Sequence, residues 1–237
     1  LWGSATFSTS TDGENWTLGH LGLFEQVNEV VFGKGLFVAV CSSGKIYTSP
    51  DAKVWTPRAN GATESIFELT FNPDAPGGGL FVTSTATGLL MRSTDGITWT
   101  APAASPYSRV FLLRYLNGLY LLGNDSDQLS TSTDATTWTP ATTGLSSALV
   151  DAHYGNGRYI VVGNGGAIIT SDTGSAWTIR TSGTTSNLSG VAYLNNVWVA
   201  VTNNAATILT SSTNGDSWTT VSSPPVSGQQ LNGAATD

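Results

Sequence analysis

The 237-residue sequence predicts an all-β chain, a six-bladed β-propeller of four-stranded antiparallel blades whose N- and C-terminal strands share one blade. Three observations predict it. First, an eight-residue segment recurs six times: 10–17 (STDGENWT), 49–56 (SPDAKVWT), 93–100 (STDGITWT), 132–139 (STDATTWT), 171–178 (SDTGSAWT) and 212–219 (STNGDSWT). Its tryptophans, Trp16, Trp55, Trp99, Trp138, Trp177 and Trp218, fall 39 to 44 residues apart, the period of a repeat architecture. Second, each interval holds four short β-type runs separated by Gly, Asn or Ser turns. Third, no run of ten or more residues keeps an apolar period of 3.6 without interruption, so no helix is expected.

The second repeat gives the template. Residues 28–32 form strand A, 36–41 strand B and 45–49 strand C, and Val54-Trp55-Thr56 opens strand D. Strand A returns at 67–71, 111–115, 152–154 and 190–194, and strand B at 80–84, 119–122, 158–162 and 197–201. The one long A–B insertion is 72–79. An aromatic closes strand A at Phe32, Phe71, Tyr115, Tyr154 and Tyr193, and another recurs in strand B at Phe37, Phe81, Tyr120, Tyr159 and Trp198. These columns read as packing between blades, with a carbohydrate-stacking platform as the alternative for any one ring. Residues 229–236 resemble the start of a strand A, while residues 1–19 supply the end of a strand B, then C and D. The two ends therefore complement each other, which is how a ring of sheets removes its edges. A single repeat cannot bury its own apolar face, so residues 1–237 are read as one domain.

Composition narrows the partners. The net charge is −7, the pI is near 4.6 and only 11% of residues are charged. That argues against a nucleic-acid backbone, which needs a Lys/Arg field, and against an anionic membrane surface. No apolar run is long enough to insert in a bilayer. Cys41 stands alone in an apolar run and reads as a buried small hydrophobe. A chain that opens on Leu1 is read as processed or as a piece of a longer polypeptide.

In the recurring segment, Asp12, Asp51, Asp95 and Asp134 sit two residues after a Ser and four before the Trp. Such a carboxylate accepts backbone N–H groups inside a turn, the following Gly permits positive φ, and the Trp is left to bury its ring. The fifth copy has Thr173 in the Asp slot with Asp172 one place early, and the sixth has Asn214; Ala52 and Ala135 replace Gly. The segment resembles the Asp-box, or BNR, repeat S-x-D-x-G-x-x-W, one residue shorter between Ser and Trp. The stretch GNGRYIVVGNGGAIITS at 155–171 is similar in texture to repeats of phage tail-associated and bacterial surface proteins. The resemblance implies that the boxes are structural and lie away from the ligand face. It implies an extracellular, cell-surface or virion setting and a lectin-like or receptor-binding role.

Recognition is expected on the D–A connections, residues 18–26, 57–65, 101–108, 140–147, 179–186 and 221–228, with His20, Arg58, Tyr107 and Arg180 as candidate binding residues. Glu29, Glu68, Arg114, Asp151 and His153 occupy strand A, where they can line a central channel. The resemblance includes sialidases, but the Phe/Tyr-Arg-Ile-Pro motif expected of them near the N-terminus is absent. A glycosidase also needs two carboxyls set across the substrate. His20 and His153 are too few and too far apart in sequence to imply zinc, and Asn124-Asp125-Ser126-Asp127 lacks the Gly and Glu of an EF-hand loop. No metal, cofactor or catalytic residue is assigned. The expectation is a non-catalytic module for a glycan or protein ligand, with a sialidase-like glycoside hydrolase and a protein-assembly scaffold as alternatives.

Overall fold

The structure, a computed structural model, describes residues 6–10, 14–15, 17–20, 26–203 and 207–221. Its regular elements are strands, apart from a single short 3-10 turn at Asn164–Gly166. The chain falls into two compact units, residues 1–110 and 111–237.

The first unit opens with a two-stranded sheet of β1 (Thr6–Thr9) and β2 (Thr17–His20). Two four-stranded antiparallel sheets follow. One holds β3 (Val27–Gly33), β4 (Leu36–Cys41), β5 (Ile46–Ser49) and β6 (Thr56–Arg58); the other holds β7 (Ile66–Asn72), β8 (Leu80–Thr85), β9 (Leu89–Ser93) and β10 (Ala103–Ala104). Their strands pair in chain order as meanders, and β3 packs beside β7. The second unit has three such sheets. They are β11 (Leu112–Leu116), β12 (Leu119–Gly123), β13 (Leu129–Ser132) and β14 (Thr139–Ala141); β15 (Leu149–Gly155), β16 (Arg158–Gly163), β17 (Ile168–Ser171) and β18 (Thr178–Arg180); and β19 (Leu188–Leu194), β20 (Val197–Thr202), β21 (Ile208–Ser211) and β22 (Thr219–Thr220).

The blade count differs from the expected six. Among the described residues there are five four-stranded sheets, and the N-terminal strands form only the β1–β2 pair. Residues 229–236, expected to complete that blade, lie outside the described residues, as do Asp12 and Trp16.

Strand B is mostly apolar because its sheet is buried on both faces, although β8 buries Thr83, Ser84 and Thr85 and β16 opens on Arg158. Side chains alternate between faces. In β4, Val38 and Val40 join Ile66, Leu69, Phe81 and Trp99, whereas Ala39 and Cys41 pack with Tyr47. In β16, Tyr159 and Val161 face one neighbour, Ile160 and Val162 the other. The aromatic columns turn out to be cross-strand pairs within a blade: Phe71–Phe81 at 4.5 Å, Tyr154–Tyr159 at 4.6 Å and Tyr193–Trp198 at 4.8 Å between ring centroids. The box Trp adds a third ring, 6.5 Å from Phe81 for Trp99 and 6.5 Å from Tyr159 for Trp177. The same columns also bridge blades. A Cβ on Gly33 would lie 2.7 Å from the Phe71 ring, and one on Gly155 would lie 2.5 Å from Tyr193, so those rings approach bare backbone.

Strand A is longer than the alternation suggests in four of the five sheets. A β-bulge interrupts the register at Val27/Glu29, Ile66/Glu68, Leu149/Asp151 and Leu188/Gly190, and a period-of-two reading stops there. Strand D of the second repeat begins at Thr56, not Val54, because the N–H groups of Lys53 and Val54 bond the Asp51 carboxylate instead of a neighbouring strand.

Candidate functional site

The recurring turns come first, because their chemistry is complete within themselves. Asp95 Oδ1 accepts the N–H groups of Ile97 (2.8 Å) and Thr98 (2.7 Å) and the Ser93 hydroxyl (2.9 Å). Asp134 does the same with Thr136 and Thr137 (both 2.7 Å) and Ser132 (2.9 Å). Asp51 does so with Lys53 (2.9 Å), Val54 (3.2 Å) and Ser49 (3.0 Å). These donors favour the anion, so all three carboxyls titrate below 3.8, Asp134 at about 2. The indole N–H closes the turn on the carbonyl of the Gly/Ala slot: Trp99 to Gly96 (3.2 Å), Trp55 to Ala52 (3.3 Å), Trp177 to Gly174 (3.2 Å) and Trp218 to Gly215 (3.1 Å). Trp138 packs its ring edge-on to Tyr120, 6.5 Å between centroids.

The last two copies substitute hydroxyls. Thr173 Oγ1 accepts Ser175 N–H at 3.3 Å. The sixth copy corrects the sequence alignment. Ser211, not Ser212, bonds the Gly215 N–H (3.0 Å), and Thr213, not Asn214, bonds the Ser217 N–H (2.9 Å). This copy therefore has the longer Ser-to-Trp spacing, and Asn214 Oδ1 instead receives the Trp198 indole N–H at 3.1 Å.

The strand A candidates act between blades. Glu29 Oε2 accepts the N–H of Leu69 at 2.7 Å, and Asp151 Oδ2 accepts the N–H of Val191 at 3.0 Å; each reaches from just past the bulge of one strand A to the next. Arg114 Nε lies 3.2 Å from Asp151 Oδ1, so Asp151 joins three inner strands, β11, β15 and β19. Burial pushes the Asp151 carboxyl above its usual value, opposed by Arg114 and the Val191 N–H. His153 is half-buried, its ring edge-on to Trp198 at 5.9 Å, and burial lowers its pKa. Glu68 holds the same post-bulge position in β7. Glu29 and Asp151 thus accept backbone amides, and within the second unit the structure brings together Arg114, Asp151 and His153 as neighbours on inner strands.

The loop candidates separate. Arg58 and Arg180 end strands β6 and β18 and turn back on strand C, Arg58 Nε to Thr48 Oγ1 (2.7 Å) and Arg180 Nε to Thr170 Oγ1 (2.9 Å). Arg180 also pairs with Asp216 at 2.8 Å, and Asp216 in turn pairs with Arg158, which holds Asp172 as well. Tyr107, expected as a binding residue, is buried, 9% exposed. His20 ends β2, and its side chain lies outside what is described. Asn124 is occupied within its own turn, its Oδ1 accepting the Ser126 and Gln128 N–H groups. No cluster of metal-ligating side chains is found among the described residues.

The second unit has a groove of about 680 Å³ over two D–A loops and the B–C turn. Residues 144–147, 165–167 and 179–185 line it, with no aromatic among them. Local hydroxyl–backbone bonds shape these walls. Ser182 Oγ bonds the Thr184 carbonyl (3.1 Å), Thr143 Oγ1 accepts the Leu145 N–H (3.2 Å), and Asn187 Oδ1 accepts the Gly165 N–H (2.9 Å). Gly166 is in the left-handed region (φ 76°), and a Cβ there would meet the Thr184 carbonyl oxygen at 2.0 Å. Ile179 is an exposed apolar side chain in the groove, 52% accessible, beside the partly buried Arg180. Both loops were expected to carry recognition, but Ile179 was not singled out; its signal was the proline at the same place in the second and fourth repeats, Pro57 and Pro140.

A repeated four-stranded meander with this groove is the anatomy of a β-propeller, and solved β-propellers match it. No family model matches the chain, and no curated protein matches it by sequence. The structure entitled "YCF48 bound to D1 peptide" is 22% identical with a TM-score of 0.72, covering 92% of this chain and 74% of that one. A chain of the mitotic checkpoint complex is 11% identical with a TM-score of 0.76, covering 97% and 75%. The WD40 repeats of RRP9 are 8% identical with a TM-score of 0.67, covering 82% and 62%. At these identities the likeness speaks for the fold.

Proposed function

We propose that this chain is a non-catalytic recognition module that holds a segment of a partner protein in the groove formed by residues 144–147, 165–167 and 179–185. The observation that carries the reading is the chemistry of that groove. Its walls are small, polar and fixed by their own hydrogen bonds, and one apolar side chain, Ile179, stands exposed among them. A preformed concavity with a few polar groups is the usual form of a binding site. The solved neighbours lend support, since the YCF48 propeller is described with a D1 peptide and another neighbour belongs to a multiprotein complex. A glycan fits less well, because sugar faces stack on aromatic rings and the lining has none. Glycoside hydrolysis fits least, because Glu29 and Asp151 are committed to Leu69 and Val191.

In the architecture we propose, β1, β2 and residues 229–236 make a sixth blade and the whole chain is one domain. A cell-surface or virion setting is carried only by the resemblance of the segment 155–171 to phage and bacterial surface repeats.

The test screens the purified chain against displayed 12-residue peptides, a glycan array and chromogenic glycosides. Peptide binding that Ser146→Trp and Thr185→Trp abolish supports the reading; both positions are exposed, so the core is untouched. Saturable glycan binding lost in the same variants overturns it in favour of a lectin. Glycoside turnover lost in Asp151→Asn overturns it in favour of an enzyme.

A further inference from the structure

The outer edges of the sheets differ, and the difference falls at the groove. In β6, Pro57 lies opposite Tyr47; in β14, Pro140 lies opposite Ser130; and Pro102 immediately precedes β10. A proline in an edge strand sits where its missing N–H would point outward, and it blocks the addition of another strand. The same register place in β18 holds Ile179, opposite Ile169. The adjoining repeat fixes which pairs are bonded. There Val221 N–H donates to the Ile208 carbonyl (2.8 Å), next to the Leu209–Thr220 pair that matches Ile169–Ile179. Bonded and non-bonded pairs alternate in an antiparallel ladder, so the N–H and C=O of Ile179 face outward. β18 ends its sheet, so no further strand of this chain pairs with it among the described residues. β22 also lacks a proline, but it has only two residues.

We propose that β18 is an open docking edge, and that the partner adds an extended segment to it as a fifth strand. This rests on the protein-binding reading of the groove. The segment hydrogen-bonds to the main chain of Ile179 and continues past Thr181 and Ser182 into the groove, where the Ile179 side chain gives an apolar contact. Strand addition draws affinity from backbone bonds and selectivity from side-chain pockets. The partner is therefore defined by an unblocked, extended backbone with small side chains where it crosses Gly165 and Gly166. The three prolines keep the same event off β6, β10 and β14.

The experiment uses the full chain and 12-residue peptides selected against it by display. Ile179→Pro copies what β6 and β14 already carry, so it is expected to fold, checked by far-UV circular dichroism and Tm. It should weaken peptide binding by about tenfold or more, while Ile179→Thr, which keeps the N–H, should stay within about threefold. N-methylation of alternate peptide amides should abolish binding to the wild-type chain in one register and spare it in the other; this arm needs no variant to fold. Equal affinity of Ile179→Pro and wild type, or indifference to N-methylation, overturns the open edge. If Ser146→Trp still abolishes binding in that case, the groove reading survives; if no peptide is selected at all, both fall.

Discussion

The outer turns and the inner strands solve the same problem with the same group, and they solve it differently. In each, a carboxylate accepts backbone N–H bonds. In the turns the partners are two and three residues away, the group is exposed, and its pKa falls. On the inner strands the partner is 40 residues away, Glu29 is partly buried and Asp151 buried, and for Asp151 the pKa rises. A local bond needs no tertiary structure and can be degraded: Thr173 and Thr213 hold their turns with a hydroxyl. A long-range bond forms only when two blades are docked, and its loss leaves a buried amide without its acceptor. The turn carboxylates thus shape each repeat, whereas Glu29 and Asp151 join one repeat to the next.

The largest effect should come from breaking the long-range member. Asp151→Ala strands the Val191 N–H and leaves Arg114 without its anion, and should cost about 2–3 kcal/mol in urea unfolding. Equal costs for Asp151→Ala and a single turn variant would erase the distinction drawn here.

Next is the collective effect of acid. Asp51, Asp95 and Asp134 are held below 3.8, so the unfolded chain takes up protons more readily than the folded one. Their contribution is complete above about pH 4 and is lost as the pH falls towards 2. Asp151 runs in the opposite sense, because a raised carboxyl binds its proton more tightly in the folded chain. The urea midpoint should therefore fall between pH 5 and pH 3. The fall should flatten in the triple Asp51→Asn, Asp95→Asn, Asp134→Asn variant and steepen in Asp151→Asn. The reverse order of slopes would contradict both assignments.

One turn alone should matter less. Asp95→Ala loses two N–H acceptors in an exposed loop, comparable to losing a helix cap, and should cost about 1 kcal/mol. Restoring an acid with Thr173→Asp should leave the fold intact and stabilise the fifth turn slightly, read as a small rise in Tm.

The smallest effect concerns strain. Ala52 occupies the left-handed region at φ 57°, where its counterparts Gly96 and Gly174 sit at 74° and 79°. Ala52→Gly should stabilise by about 0.5–1 kcal/mol, since a Cβ is disfavoured there. Ala135, also left-handed but fully buried, should gain less, because its methyl fills space in the core.

Much of this was legible in the chain. The Ser–Asp–Trp spacing gave the turns because their bonds span two or three residues, and the apolar runs gave strand B because a twice-buried strand such as β4 carries apolar side chains on both faces. The bulges hid the start of strand A, since one extra residue breaks the alternation on which the reading depends. The sixth turn was misaligned because Ser211 and Ser212 are adjacent and chemically identical; only the bond to Gly215 tells them apart.

The candidate site was less legible. Arg58 and Arg180 stand where the loops begin, but whether an arginine points to a ligand or folds back on its sheet is decided by a neighbouring strand's threonine. The repeat already put Ile179 in the column of Pro57 and Pro140, two residues after the Trp, but only the strand register showed that this column faces out of the sheet edge.

By itself, then, the sequence determined the repeat, the four-strand meander and the chemistry of its turns, because each depends on contacts within a few residues. The tertiary structure decided what Asp151 and Glu29 hold, which serine closes the last turn and which strand ends each sheet. Each of those turns on a neighbour tens of residues away, or on an edge that exists only after the sheet has formed.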